Sequence, residues 1–258
     1  MKRALAVLVP VLGACTLLGS AAVGSAAVGA SPVLQPVPVA QVGDAIQGGS
    51  VSAGTVAAAP AAKAAAPPVP GVHAYTDTFV VQHPYNLPES ARFSVDPGPV
   101  YNAWILKGDK PLRRGSNTGP RTEMRWGANW SKGLHIWEAD VLVDAGTERT
   151  AIMQVKSNNG GREAIYAEVI GGNLFNVSGG GLLARSILGR WFHMASAYDP
   201  GTGVSRIWIN GQLVSTGHYP RPASTIWYFK NGVYASGFRN LTNPKSEAHF
   251  KNIQFWSA

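Results

Sequence analysis

Cysteine is almost absent from this chain of 258 residues: the single one, Cys15, stands in an apolar segment near the start. The rest of the chain therefore has no disulfide, no thiolate for catalysis and no cysteine metal site. Acidic residues are also few, 14 against 22 lysines and arginines, which gives a formal net charge of +8. A surplus of positive charge favours an anionic partner without saying which one.

No apolar run has the length and the flanks of a confident membrane span. The first 30 residues have a basic start, an apolar run through about Leu18 and then small residues. This pattern predicts a secretory signal peptide over residues 1–30 and a secreted protein. Residues 12–15 resemble a lipoprotein box, so a lipid anchor at Cys15, holding the protein to the cell envelope, is the alternative to simple cleavage.

Residues 31–71 have no apolar period and consist mainly of proline, alanine, valine and glycine. Such low-complexity sequence predicts a disordered linker. Residues 72–258 are the right size for one domain with a full core. This block holds 19 basic and 13 acidic residues, so the predicted domain is itself cationic.

The predicted domain lacks any window with a helical period, and its apolar residues alternate with a period of two. Strands are predicted over residues 78–81, 134–143, 164–170, 191–198, 206–214 and 250–256. The fifth segment is a hairpin, because Asn210 and Gly211 supply the positive φ angles of a two-residue turn. Many strands with regular turn residues predict an all-β sandwich of two sheets, one of them concave. Its scattered basic residues are not typical of a nucleic-acid-binding domain.

Two predicted strands carry polar residues on one face. In residues 121–126, two guanidiniums flank the carboxylate of Glu123, from Arg121 and Arg125. Such a ladder binds carboxylates, but it is also common on exposed strands. In residues 151–156, Gln154 and Lys156 lie side by side opposite an apolar face, and an amide beside an ammonium can hold a carboxylate.

A third polar face lies in residues 227–234. Tyr228, Lys230, Gly232 and Tyr234 share one face of this strand, opposite the apolar Trp227, Phe229 and Val233. Gly232 leaves a gap where another group can approach the backbone closely.

The three segments together resemble polysaccharide lyase family 7, the alginate lyases. That family has an Arg-(Ser/Thr)-Glu-x-Arg strand, a Gln-(Ile/Val)-His strand and a Tyr-Phe-Lys-x-Gly-x-Tyr strand, which this chain matches in order at residues 121–125, 154–156 and 228–234. The resemblance covers the chain from about residue 76 onward. It implies a concanavalin-like β-jelly roll whose three polar strands line a cleft for a uronic-acid polymer. Lys156 stands where the family usually has a catalytic histidine.

The resemblance also implies a reaction, β-elimination, which removes the proton on sugar carbon 5 and expels the oxygen on carbon 4. Arg125 or Arg121, together with Gln154, would neutralise the sugar carboxylate, and Lys156 would add charge. Tyr234 would act as base and acid. The predicted catalytic residues are Tyr234, Gln154, Lys156 and Arg125, and the predicted substrate-binding residues are Arg121, Glu123, Tyr228 and Lys230.

The lysine at position 156 bears on the substrate. In mannuronate and glucuronate the proton and the leaving oxygen lie on the same side of the ring, so one residue serves as base and acid. In guluronate they lie on opposite sides and a second group is needed. Tyr234 without a histidine therefore fits alginate rich in mannuronate, or glucuronan. Lys156 as the base is the alternative, since a buried lysine can lose its proton.

Two other functions compete with the lyase. A glycoside hydrolase needs paired carboxylates, for which Glu138 and Asp140 are the nearest pair. A non-catalytic, lectin-like domain would bind acidic polysaccharides without cleaving them. The six histidines show no ligand spacing, so neither a metal nor another cofactor is predicted. The predicted partner is an anionic polysaccharide, and the predicted state is a monomer.

Overall fold

Regular structure in the computed structural model is almost all β-strand. The structure describes residues 69–160, 163–179, 181–235, 241 and 243–258, so the predicted signal peptide and nearly all of the predicted linker lie outside the described residues. The strands are β1 (His73–Tyr75), β2 (Phe79–Gln82), β3 (Phe93–Asp96), β4 (Val100–Leu106), β5 (Arg121–Trp126), β6 (His135–Val143), β7 (Thr150–Ser157), β8 (Ile165–Ile170), β9 (Asn173–Asn176), β10 (Gly181–Ala184), β11 (Trp191–Asp199), β12 (Val204–Ile209), β13 (Gln212–His218), β14 (Trp227–Ala235) and β15 (Lys245–Ser257). A 3-10 turn, Glu89–Ala91, joins β2 to β3.

The strands form two antiparallel sheets. The eight-stranded sheet has the order β13-β12-β11-β6-β15-β4-β3, with β1 paired to β15. The seven-stranded sheet has the order β10-β9-β8-β7-β14-β5-β2. The predicted all-β jelly-roll sandwich is confirmed. In the part of the chain that the structure describes, no helix is long and apolar enough to cross a membrane.

The hydrophobic core lies between the sheets and follows the alternation of the strands. In β6, Trp137, Ala139, Val141 and Val143 are all fully buried. From the other sheet, β14 contributes Trp227, Phe229 and Val233 to the same core. Burial of one large apolar side chain contributes about 1.5–3 kcal/mol, so this alternation fixes which face of each strand turns outward.

Two features of the sheets depend on glycine: the turn between β12 and β13 and the register shift in β14. Asn210 (φ 51°) and Gly211 (φ 79°) form the predicted two-residue turn between β12 and β13. In β14, Gly232 has φ +143°, next to a shift of register against β7. A Cβ there would lie 2.2 Å from the carbonyl oxygen of Thr122 and 2.7 Å from the Cα of Glu123. The group that approaches the backbone at Gly232 is therefore the neighbouring strand β5.

Candidate functional site

The predicted site residues meet because β14 lies between β7 and β5 in the seven-stranded sheet. Lys230 pairs with Gln154 on one side and with Arg125 on the other. Tyr228 is opposite Lys156, and Tyr234 is opposite Arg121. We call the shared surface the cleft face; it consists of Arg121, Glu123, Arg125, Gln154, Lys156, Tyr166, Glu168, Tyr228, Lys230 and Tyr234.

Glu123 is at the centre of the cleft face, and its side chain is only 2% exposed. Its two carboxylate oxygens accept hydrogen bonds from the amide of Gln154 and the ammonium of Lys230. A guanidinium nitrogen of Arg121 lies 3.4 Å away. A buried carboxylate needs such partners, because an unpaired charge in the interior is costly. Glu123 therefore holds donors from three strands in fixed positions.

Lys230 is as buried as its partner, with 2% of its side chain exposed. Burial lowers the pKa of Lys230, and the charge of Glu123 acts in the opposite direction. The charged groups of Glu123 and Lys230 are paired with each other beneath the surface, and Glu123 also holds Gln154 and Arg121. Direct contact of Glu123 and Lys230 with substrate stays a prediction from the sequence.

One end of the cleft face is built around Tyr234. The guanidinium carbon of Arg121 lies 4.1 Å from the centroid of the Tyr234 ring, and the Tyr166 ring meets it edge-on at 6.3 Å. Burial is the main cause that raises the pKa of Tyr166, so this second phenol stays neutral. Tyr234 borders a cavity of about 400 Å³ that is lined by Arg149, Glu163, Tyr166, Glu168, Val177, Ser178 and Tyr234.

The other end is built around Tyr228. The guanidinium carbon of Arg125 lies 4.2 Å from the Tyr228 ring centroid. The same guanidinium donates to the carbonyl of Trp126 and, at 2.5 Å, to the side-chain oxygen of Asn129. Burial raises the pKa of Tyr228, against the opposing charges of Lys156 and Arg125. Arg125 is thus anchored to the loop after β5, at the far end from Tyr234.

Lys156, which occupies the position of the histidine in the motif that the sequence resembles, has a partner of its own. Its ammonium lies 2.6 Å from a carboxylate oxygen of Glu163, and the two side chains are 27% and 20% exposed. In register it faces Tyr228, whereas Tyr234 faces Ala151, five residues earlier in β7. That offset corresponds to roughly 16 Å along the strand. The backbone of Lys156 is therefore distant from that of Tyr234, although Glu163 also lines the Tyr234 cavity.

Three residues that the sequence reasoning missed line this cavity: Glu163, Tyr166 and Glu168. Residues 164–170 are a predicted strand, and Tyr166 and Glu168 alternate there with the buried Ile165, Ala167 and Val169. The alternation was thus the available signal for a fourth polar face. Glu163 gives no such signal, because it precedes β8 in a loop.

The carboxylate pair considered for a hydrolase lies on the eight-stranded sheet. Glu138 accepts a hydrogen bond from the indole of Trp256 at 3.0 Å. Asp140 is hydrogen-bonded to His193 at 3.0 Å and to the side-chain amide of Asn252 at 2.7 Å. These carboxylates belong to a buried polar network on β6 and are not part of the cleft face.

Comparisons with known proteins give one related sequence and several similar folds. No family model matches the chain. The citrate-binding protein of Hevea brasiliensis is 33% identical over 185 residues, which cover 70% of this chain and 74% of that protein. Among solved structures, the alginate lyase AlgAT5 of polysaccharide lyase family 7 superposes with a TM-score of 0.57 and 19% identity, over 70% of this chain and 94% of that one.

The alginate lyase PA1167 of Pseudomonas aeruginosa gives a TM-score of 0.54 at 19% identity, over 70% of this chain and 98% of the enzyme. At this identity the likeness shows the fold alone. The domain therefore has the jelly-roll fold of family 7 lyases, and its chemistry has to be argued from the cleft face.

Proposed function

The chain belongs to the family of the Hevea brasiliensis citrate-binding protein, and we propose that its cleft face binds an anionic polysaccharide of uronate units and cleaves it by β-elimination. The three polar strands that resemble family 7 support this proposal, as does the shared fold. Secretion and a monomeric state stay predictions from the sequence.

The observation that carries the proposal is the position of Tyr234. Its phenol borders an open cavity, and the guanidinium of Arg121 lies 4.1 Å from its ring centroid. A proton-transfer group must be in reach of the substrate, with positive charge nearby for the sugar carboxylate. Of the two guanidiniums that the sequence left as alternatives, Arg121 is the one beside Tyr234.

The reaction needs one proton transfer in each direction. Tyr234, as phenolate, removes the proton from sugar carbon 5, and the electron pair of that bond forms the double bond between carbons 4 and 5. The oxygen on carbon 4 leaves and takes the proton back from Tyr234. Arg121 offsets the charge that develops on the sugar carboxylate. Because one phenol performs both transfers, the proposed substrate is mannuronate-type alginate or glucuronan.

A second candidate is binding without cleavage. Two donors that a lyase would direct at the substrate are already bound to carboxylates: Gln154 to Glu123 and Lys156 to Glu163. The relative's name states that it binds citrate, a small tricarboxylate. Carboxylate recognition is common to both candidates, and only the elimination step separates them.

Ultraviolet absorbance of the new double bond tests the proposal on mannuronan, guluronan and glucuronan. Calorimetry with the same polymers and with citrate measures binding separately. Tyr234→Phe removes one hydroxyl, so we expect unchanged polymer binding and a loss of turnover of about a hundred- to ten-thousand-fold. Tyr101→Phe is the matched control, because it makes the same change on β4 of the other sheet and should retain turnover.

Binding heat without new absorbance on any polymer would favour the second candidate. If citrate alone binds, the polysaccharide proposal fails. Cleavage by Tyr234→Phe at the wild-type rate would assign the phenol to packing and overturn the mechanism.

A further inference from the structure

Three potential metal ligands meet on the outer surface of the eight-stranded sheet, away from the cleft face. Glu247 and His249 share one face of β15, because they are two residues apart. Asp144 follows the end of β6, and its backbone N–H donates to the carbonyl of Glu247 at 3.1 Å. The donor atoms of the three residues all lie within 4.8 Å of one another.

A neighbouring amide sets the orientation of the His249 ring. The side-chain nitrogen of Asn102 donates to the hydroxyl of Ser94 at 3.0 Å, so its oxygen is turned to the Nδ1 of His249, at 2.7 Å. The Nε2 on the other side of the ring lies 3.0 Å from a carboxylate oxygen of Asp144, so this nitrogen is turned toward the carboxylates of the cluster.

We propose that Asp144, Glu247 and His249 bind one divalent transition-metal ion of the zinc type. Imidazole with carboxylates is a ligand set that such ions favour. Zinc bonds of about 2.0–2.2 Å require donor atoms a little over 3 Å apart, which small side-chain rotations here would supply. The contact from Asn102 is the kind of second hydrogen bond that orients metal-binding histidines in general.

The backbone around the three ligands is tightly held. The hydroxyl of Thr147 donates to the carbonyl of Glu247 at 3.1 Å and accepts from its N–H at 3.0 Å. These reciprocal bonds fix the loop that carries Asp144 against the strand that carries the other two ligands. Rigid support of this kind is what a metal site needs.

The surroundings suit a cation with open coordination positions. Glu247 and His249 line a cavity of about 540 Å³, which leaves room for water or another small ligand on the metal. Asp96 lines the same cavity and adds a third carboxylate. The ammonium of Lys245 is paired with Glu247, but its side chain is 46% exposed and can move aside. Lys245 is therefore the competitor that an incoming metal ion has to displace.

The test uses the full chain, stripped with a chelator and titrated with zinc chloride alone in a calorimeter. A parallel titration with cobalt chloride reports histidine coordination through visible absorbance. We expect one ion per chain. Asp144→Asn and His249→Gln should each weaken binding tenfold or more, while Lys245→Met should strengthen it by removing the competing ammonium.

Two controls separate this site from other ligands on the chain. His218→Gln removes an exposed histidine of β13, and Cys15→Ser removes the only thiol; neither should change the affinity. Circular dichroism checks that each variant is folded. The proposal is overturned if the wild-type chain shows no saturable binding, if Asp144→Asn and His249→Gln bind as the wild type does, or if only Cys15→Ser abolishes binding.

Discussion

The ammonium nitrogen of Lys156 lies 2.6 Å from a carboxylate oxygen of Glu163. Family 7 lyases usually have a catalytic histidine at this point of the motif, and a lysine there raises the question of whether it acts as a base. An ammonium that donates to a carboxylate has no lone pair for accepting a proton. Lys156 in this state can contribute positive charge, which leaves Tyr234 as the proposed base.

Glu163→Gln should strengthen the binding of uronate polymers, because it frees the Lys156 ammonium and removes a negative charge from the cavity. For a partly exposed pair we expect an effect of about two- to fivefold on Kd, which corresponds to less than 1 kcal/mol. Calorimetry measures it, with Glu89→Gln on the distant 3-10 turn as control. Weaker binding in Glu163→Gln would mean that Glu163 itself contacts the ligand.

Lys230→Met should destabilise the domain strongly, since it leaves the buried carboxylate of Glu123 without its ammonium partner. We expect a loss of about 3 kcal/mol in the free energy of unfolding, measured by urea denaturation. The double variant Glu123→Gln, Lys230→Met should lose less than the sum of the two single variants. Strict additivity would show that the two groups do not interact, and the exposed Lys107→Met serves as control.

Gly232→Ala should be among the most damaging single substitutions in the sheet. Its Cβ would collide with the backbone of β5, at 2.2 Å from the Thr122 oxygen. Backbone atoms in a sheet centre cannot move aside, so we expect a loss of more than about 3 kcal/mol. Gly211→Ala is the matched control: its φ is +79° but nothing lies within 4 Å, so only backbone strain of about 1–2 kcal/mol applies. Equal losses in the two variants would exclude the collision as the cause.

Removal of His193 should alter the pH dependence of stability. The carboxylate of Glu138, 3.6 Å from the ring, is the largest cause that raises the pKa of His193; Asp140 adds to the effect and burial opposes it. Because the folded pKa lies above the unfolded value of about 6.5, the protonated ring stabilises the fold below that pH, and the contribution is lost as the pH rises through the folded pKa. His193→Gln should therefore lose more unfolding free energy at about pH 5.5 than at about pH 9. A pH-independent difference in urea denaturation would contradict this assignment.

The sequence predicts the architecture and the polar faces well, since both follow from side-chain alternation. The faces of β5, β7 and β14 were recognisable because apolar residues occupy every second position, and the structure places all eight predicted site residues on one sheet. Strands β1, β3, β4, β9 and β10 were not predicted. Four of them have only three or four residues, and β4 carries the buried polar side chain of Asn102.

The sequence could not supply the register between strands or the extent to which each side chain is buried. Glu123 and Lys230 are typical surface residues by type, and they are buried here because β5 and β14 are interior strands whose neighbours cover these two positions. The pairing of Lys156 with Glu163 depends on a loop, and the meeting of Asp144 with His249 depends on strands more than a hundred residues apart. Alternation along one strand contains no information about such neighbours.

The place of β14 and β15 has a consequence for how the protein is made. Among the fifteen strands that the structure describes they come last in sequence, yet each lies in the interior of its sheet, β14 between β7 and β5 and β15 between β6 and β4. Contacts such as Glu123 with Lys230 close loops of 107 residues. Such high contact order slows folding. During synthesis, therefore, neither sheet can be completed and the cleft face cannot form until β14 and β15 have left the ribosome.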